Sequence, residues 1–236
     1  MMEEDNYPKH IGIILDGNRR WARQQGKMPW DGHKVGFDKL KSLLRWAKKL
    51  DIKELSLYCF STQNFKRDKL EVAFLMKIFA QAAKDVLKDK FIHDNKVRVR
   101  FIGRQHLLPE KVQAAAKKAM EATKNYNNLV VNLCVAYGGR EEIVDGARQA
   151  ARDVQEGKIS PEEIDEESFR KYLYLQKDPD LIIRTSGEHR LSNFLTWHST
   201  YSEWFFLEKH WPAFEKQDLV NIIKEFQEKR KRRFGK

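Results

Sequence analysis

Long apolar runs are missing from this chain. No stretch approaches the roughly 20 residues that a membrane-spanning helix requires. A hydrophobic fraction of 41% beside 33% charged residues describes a water-borne chain with enough apolar material for a core. Cysteine is scarce too, at two in 236 residues. Cys59 and Cys134 each fall inside a strand-like apolar run, with no Cys or His at metal-ligand spacing, and read as buried thiols. The first residues, Met-Met-Glu-Glu-Asp-Asn-Tyr-Pro, lack a basic stretch followed by an apolar one, so no secretory signal is read and a cytoplasmic protein is expected. Repeats, low-complexity segments and linkers are absent as well. A single domain over residues 1–236, with 1–8 a flexible N-terminus, is the simplest division.

Acid is in short supply. Lys and Arg number 45 against 34 Asp and Glu, a net charge of +11. Anionic partners follow: nucleic acid, an acidic membrane face or phosphorylated small molecules. Part of the excess sits in the tail from Glu228 to Lys236, where cations suit a helix C-terminus.

What is present centres on His10-Ile-Gly-Ile-Ile-Leu-Asp-Gly-Asn-Arg-Arg-Trp-Ala22. An apolar run stops at Asp16, Gly17 and Asn18 turn, and a helical pattern begins with Arg19 and Arg20. A buried strand, a tight turn and a helix start would gather free N–H groups beside two guanidinium groups, a place for a phosphate-like anion. Asp16 is out of place in such a site unless it holds a metal or handles a proton.

Strands are predicted at 11–15, 54–60, 97–102, 129–136, 181–184 and 203–207, most of them short and rich in Val, Ile or Leu, as buried parallel strands are. Helical patterns lie between them, at 31–50, 69–91, 109–124, 140–157 and 161–173, and a last one runs from about Pro212 to Arg233. The alternation predicts an α/β fold: one domain with a central, mostly parallel six-stranded sheet covered by helices on both faces. Ligands of such sheets bind at the carboxyl ends of the strands. Asp16–Arg20 follows the first strand there, Ser61–Arg67 the second, Tyr137-Gly-Gly-Arg140 the fourth and Thr185–Asn193 the fifth. All four are rich in Arg, Gly, Ser, Thr and Asn, the types that cradle phosphate. Four on one edge point to a site for more than one phosphate group.

Those residues resemble the cis-prenyltransferases, best known from undecaprenyl diphosphate synthases. The resemblance rests on Ile-Leu-Asp16-Gly-Asn-Arg-Arg-Trp-Ala, Gly32-His33-Lys-Val-Gly36, Phe60-Ser-Thr-Gln-Asn-Phe65 with Arg67, Tyr137-Gly-Gly-Arg140 and Ile183-Arg-Thr-Ser-Gly-Glu-His-Arg-Leu-Ser-Asn193. Glu203, Trp211-Pro212 and the terminal Arg233-Phe-Gly235 extend it. It implies transfer of an allylic prenyl group from its diphosphate to isopentenyl diphosphate, usually with Z double bonds and Mg²⁺, by a homodimer. It implies Asp16 as the essential carboxylate on Mg²⁺, with Glu203 as a second metal ligand. Gly17, Asn18, Arg19 and Arg20, with His33 nearby, become the allylic diphosphate cradle. Arg184, Arg190 and Ser192 become the isopentenyl diphosphate clamp. Ser61, Asn64, Phe65 and Arg67 lie where the substrates meet, and Trp21, Thr62, Gln63 and Leu191 join the substrate-contacting set. An amide is a poor base, so Asn64 is expected to position a diphosphate oxygen or water that accepts the proton.

A growing hydrocarbon gains roughly 0.8 kcal/mol per buried CH₂, so a hydrophobic tunnel beside the sheet is expected. Phe74, Phe79 and Phe91 are candidates to close it. Peripheral membrane association through the lipid product is a further expectation. The trans-type Asp-Asp-x-x-Asp motif is absent. So are aromatic stacking arrays and known nucleic-acid modules, and no nucleic-acid partner is expected. A non-catalytic partner subunit would typically lack the aspartate and arginines that this chain keeps. Two positions depart from the usual pattern: Pro29 replaces an arginine of many bacterial members, and Gln63 replaces a glutamate. Gln63 keeps open a same-fold enzyme joining prenyl diphosphates other than head to tail.

Overall fold

A computed structural model describes residues 6–231. Residues 1–5, within the segment expected to be a flexible N-terminus, and the terminal Arg233-Phe-Gly235 motif lie outside the described residues.

Six strands form one sheet in the order β3-β4-β2-β1-β5-β6, and every pairing is parallel. They are β1 (His10–Ile14), β2 (Glu54–Ser61), β3 (Val97–Ile102), β4 (Leu129–Tyr137), β5 (Leu181–Thr185) and β6 (Glu203–Leu207). The helices are α1 (Asn18–Gln24), α2 (Pro29–Lys49), α3 (Lys69–Val86), α4 (Lys90–Asp94), α5 (Glu110–Thr123), α6 (Gly139–Gln155), α7 (Glu166–Phe169) and α8 (Lys216–Lys231).

The strand period of two sorts side chains between the faces. Ile11 and Ile13 of β1, Leu55 and Leu57 of β2, and Leu181 and Ile183 of β5 pack on one side with Leu43 of α2, Leu75 of α3, Ala116 of α5 and Ile222 of α8. Ile14, Tyr58, Cys134 and Ile182 face the other way, onto Leu175, Phe194 and Leu195. The second side also holds a buried polar cluster tied to α6. Glu142 accepts from the Tyr137 hydroxyl and the Tyr174 N–H and pairs with His198 at 3.2 Å.

Two expected helices are broken, each by an aspartate. The pattern over 69–91 stops at Val86, because Asp89 accepts from the N–H groups of Phe91 and Ile92 and starts α4. The pattern over 161–173 holds only the one-turn α7 between two 3₁₀ turns, with Asp165 capping Ser168 N–H. Trp211–Ala213 is a 3₁₀ turn, so the last helix starts at Lys216 rather than Pro212. Cys134 is buried as expected, whereas Cys59 is half-buried.

Strand β1 lies between β2 and β5: the chain leaves it for β2, β3 and β4 on one side and then crosses to β5 and β6 on the other. That is the switch point where an open parallel sheet leaves a crevice beyond its carboxyl ends. Among the described residues no helix is long and apolar enough to cross a membrane.

Candidate active site

The crevice is a pocket of about 440 Å³ at this switch point. Leu15, Asp16, Gly17, Asn18, Arg19, Arg20 and Arg23 line it from β1 into α1, His33 from α2, Ser61, Asn64 and Arg67 from the turn after β2, and Arg184 and Ser192 from β5 and its loop.

Asp16 is fixed at its backbone and at both carboxylate oxygens. Its carbonyl accepts from Thr185 Oγ1 at 2.7 Å and Trp211 N–H at 3.0 Å. Oδ1 accepts from Gly17 N–H at 2.7 Å and lies 3.4 Å from Arg20, and Oδ2 accepts from Arg184 at 2.9 Å. Gly17 has φ +97°, and a Cβ there would stand 2.6 Å from Ser186 Oγ and 2.7 Å from His210 Nδ1. Only glycine fits both the left-handed backbone and the space. The turn thus aims the carboxylate into the pocket while α1 starts beside it.

Helix α1 lies so close to α2 that Asn18 occupies the space of two side chains. A Cβ on Gly32 would meet Asn18 O at 2.0 Å, and one on Gly36 would meet Asn18 Oδ1 at 2.0 Å. Asn18 Nδ2 donates to Leu15 O at 2.8 Å, and Trp211 Nε1 donates to Gly36 O at 2.8 Å. Here the Gly32–Gly36 motif is a packing device that brings α1 and its arginines against α2.

Buried Glu71, at the start of α3, gathers two guanidinium groups and an imidazole. Oε1 accepts from Arg67 at 3.1 Å and sits 3.1 Å from His33 Nε2, and Oε2 lies 3.6 Å from Arg19. The sequence reading passed over Glu71. Its one signal was the i, i+4 spacing from Arg67. Arg184, 3% exposed, donates to the Arg190 carbonyl, to Ser192 Oγ at 2.7 Å and to Asp16. Asn64 Oδ1 accepts from Ser61 N–H at 3.0 Å while Ser61 Oγ accepts from Asn64 N–H at 3.2 Å. With its oxygen committed to this reciprocal cap, the amide has its N–H₂ to offer the pocket. It is a donor there, not a proton acceptor.

Several expected site residues stand apart from the cleft. The Trp21 ring carries the Lys27 ammonium at 5.4 Å. Phe65 packs edge-on against Phe60 at 4.9 Å. Thr62 and Gln63 turn toward Glu141. Arg190 and Leu191 are exposed, and Arg190 pairs with Glu188, which also takes Arg20 at 2.8 Å. Glu203 opens β6 opposite Leu181, while Arg184 lies opposite Phe206. Three residue steps of parallel strand are about 10 Å, so one chain does not bring Glu203 to Asp16.

Two small apolar cavities continue inward between α2 and α3. The first shares Leu15, Asn18, His33, Cys59 and Leu75 with the main pocket. It shares Phe37 and Leu40 with the second, which holds about 70 Å³ and reaches Val86 and Ile92. Of the three candidate phenylalanines, Phe79 lines the first cavity.

An arginine-lined cleft opening on an apolar passage is built for a molecule with an anionic head and a hydrocarbon tail. The sequence profile described as "Putative undecaprenyl diphosphate synthase" matches residues 14–235. The chain belongs to that family, the cis-prenyltransferases. A tritrans,polycis-undecaprenyl-diphosphate synthase (geranylgeranyl-diphosphate specific) of Thermococcus kodakarensis is 50% identical over 237 residues, covering 100% of this chain and 89% of its own. A protein of the same description from Pyrococcus abyssi is 52% identical over 231 residues, covering 97% and 87%. The crystal structure of lavandulyl diphosphate synthase from Lavandula x intermedia, in complex with dimethylallyl diphosphate, superposes with a TM-score of 0.90 at 36% identity, covering 95% of this chain and 97% of that one. As a cis-prenyltransferase the chain is an enzyme, and its six-stranded parallel sheet is that of its structural neighbours.

Proposed function

We propose that this cis-prenyltransferase condenses an allylic prenyl diphosphate with isopentenyl diphosphate to give a longer polyprenyl diphosphate. One observation carries the reading: Arg19, Arg20, Arg23, Arg67 and Arg184 line one pocket, with Asp16 its single lining carboxylate, at the mouth of an apolar passage. The allylic C–O bond breaks and its electron pair leaves with the diphosphate. The isopentenyl double bond closes the new C–C bond, and a proton departs from the adjoining carbon. Charge grows on the leaving diphosphate, so preorganised guanidinium groups of α1 stabilise the transition state more than the ground state. Arg184, with Ser192, holds the second diphosphate, and Asn64 orients the group that accepts the proton.

Mg²⁺ fits this site as a shared ligand of protein and substrate. Among the described residues no cluster of three His, Cys, Asp or Glu could hold a metal ion alone. Asp16 offers an oxygen donor beside arginines that would deliver diphosphate oxygens, and one carboxylate plus phosphate oxygens is the usual arrangement for this ion. An ion held there by Asp16 would supply charge neutralisation for the departing diphosphate. In a homodimer, Glu203 would serve the site of the second copy. A lipid product held in that passage would draw the enzyme to membrane surfaces.

The testing experiment incubates the pure protein with labelled isopentenyl diphosphate, Mg²⁺ and primers of several lengths. Geranylgeranyl diphosphate comes first, because the relatives' names specify it. Chain-extended Z products are expected. Gln63 favours one second reading, joining other than head to tail. Products lacking head-to-tail isopentenyl units would select it.

A further inference from the structure

Glu141, in the first turn of α6, belongs to neither of the loops that carry the proposed isopentenyl side of the site, yet it is bonded to both. From the turn after β2, Thr62 Oγ1 donates to Glu141 Oε1 at 2.6 Å and Gln63 Nε2 donates to the same oxygen at 3.3 Å. From the loop after β5, Asn193 Nδ2 donates to Oε2 at 2.7 Å. Asn193 is seated on α6 by its other groups. Its Oδ1 accepts Arg140 N–H at 2.8 Å and its carbonyl accepts Gly139 N–H at 2.7 Å. Room for the bridge comes from Gly138, where a Cβ would stand 2.2 Å from Glu141 Oε2 and 2.6 Å from Asn193 Nδ2.

The two bonded segments are the ones whose relative position matters. Thr62 and Gln63 directly precede Asn64. Asn193 directly follows Ser192, which accepts from Arg184. Ser192 and Asn193 both hold left-handed backbone, at φ 49° and 62°, a conformation that a non-glycine pair keeps only when its surroundings impose it. The donors to Glu141 are all neutral, so the carboxylate is the one charge of the bridge. Hydrogen bonds from Thr62 and Asn193 outweigh partial burial and hold its carboxyl below the usual range.

We propose that Glu141 is a positioning residue that clamps the Asn64 turn to the Ser192 loop and so sets the spacing between the reacting carbons and the isopentenyl diphosphate. The clamp deepens the condensation proposed above and rests on it for its kinetic consequence. It also gives Gln63 a role: the amide donates to a carboxylate that a glutamate at 63 would repel.

The test uses Glu141→Ala, Gln63→Glu, Asn193→Asp and the double variants that add Glu141→Gln to each of the last two. Misplacement near the ångström scale can cost up to about 10²-fold, so Glu141→Ala should raise KM for isopentenyl diphosphate and lower kcat by about tenfold each, with KM for the allylic substrate within about twofold. Gln63→Glu and Asn193→Asp each set a second carboxylate against Glu141 and should show the same split. Glu141→Gln should restore both, which a loss of general stability would not do. Hydrogen exchange supplies a readout free of catalysis: Glu141→Ala should speed exchange in 61–67 and 186–195 together. Unchanged exchange in those segments overturns the clamp, as does a Glu141→Ala enzyme with wild-type KM and kcat, or charge variants that Glu141→Gln fails to rescue. A wild-type protein that makes no extended product refutes the condensation instead, and the exchange result then judges the clamp alone.

Discussion

Arg184 reaches from inside β5 to Asp16 Oδ2 at 2.9 Å, joining the loop after β1 to the loop after β5 through one buried guanidinium. Its position in the ladder, opposite Ile14, places it level with the end of β1. The charge is therefore anchored to the sheet, not to a loop. Its Nη1 donates to two acceptors and its Nη2 to Asp16 alone, and its Nε has no hydrogen-bond partner among the described residues, so donors remain for a ligand.

Removing Arg184 should strip the Asp16 pairing and two loop contacts together. Arg184→Ala is expected to lower stability by about 1–3 kcal/mol, the cost of losing hydrogen bonds of a charged group, because Asp16 is 30% exposed and stays hydrated. Arg184→Lys should recover little, since an ammonium cannot span the same three acceptors in a plane. Urea denaturation of the three proteins checks this, and an Arg184→Lys enzyme as stable as wild type would refute it.

Asp16→Ala should lower stability yet keep the fold, with Arg184 still bonded to the Arg190 carbonyl and Ser192 Oγ, and should cut product formation by about 10³-fold, the scale of losing a preorganised electrostatic contact plus a metal ligand. Calorimetric binding of an allylic diphosphate analogue without metal should persist, because the arginines remain. Turnover near wild type would sink the assignment.

Gly36→Ala inverts a familiar expectation. In a helix interior the change normally stabilises by about 1 kcal/mol. Here the new Cβ would sit 2.0 Å from Asn18 Oδ1 and 3.0 Å from the Trp211 ring. The midpoint of thermal unfolding should fall, and KM for the allylic substrate should rise as α1 is pushed from the pocket. A stabilised variant would show that the α1–α2 approach is looser than described.

His10 is buried, with Nε2 on Ser56 Oγ at 2.8 Å. Burial lowers its pKa despite the pull of Glu54. A histidine depressed in the folded state binds its proton more readily when unfolded. Its contribution to stability is present above the unfolded value of about 6.5 and is lost as pH falls below it. Chemical unfolding between about pH 5 and 8 should show the loss. His10→Gln should flatten that slope. An identical slope would assign it to other groups.

Leu40 lines both cavities between α2 and α3. Leu40→Trp should block the passage and shorten the product distribution, read by chromatography of the hydrolysed chains, with the rate of the first condensation changed less than about threefold. Unaltered chain lengths would place the hydrocarbon elsewhere.

Strand positions were legible because β1, β2, β4 and β5 are apolar runs ending at abrupt polar loops, and parallel pairing gathers those ends on one rim. The cradle was legible for the same reason, since Asp16, Arg19, Arg20, Asn64, Arg67, Arg184 and Ser192 all follow or end such runs. What hid was side-chain direction. Nothing in the order of residues says that Glu71 turns inward to Arg19, Arg67 and His33, that Thr62 and Gln63 turn to Glu141, or that Asp89 ends a helix whose apolar pattern continues. Those outcomes depend on which helix packs opposite, a relation between distant segments.

The register of β6 has a consequence for how the enzyme would respond to dilution. Glu203 is pinned opposite Leu181 by the ladder, at the rim away from Asp16. Loop motion cannot carry a residue past the sheet that holds it. If Glu203 serves the reaction, specific activity must fall as the protein is diluted below the concentration at which copies associate. The fall should vanish in a covalently joined pair.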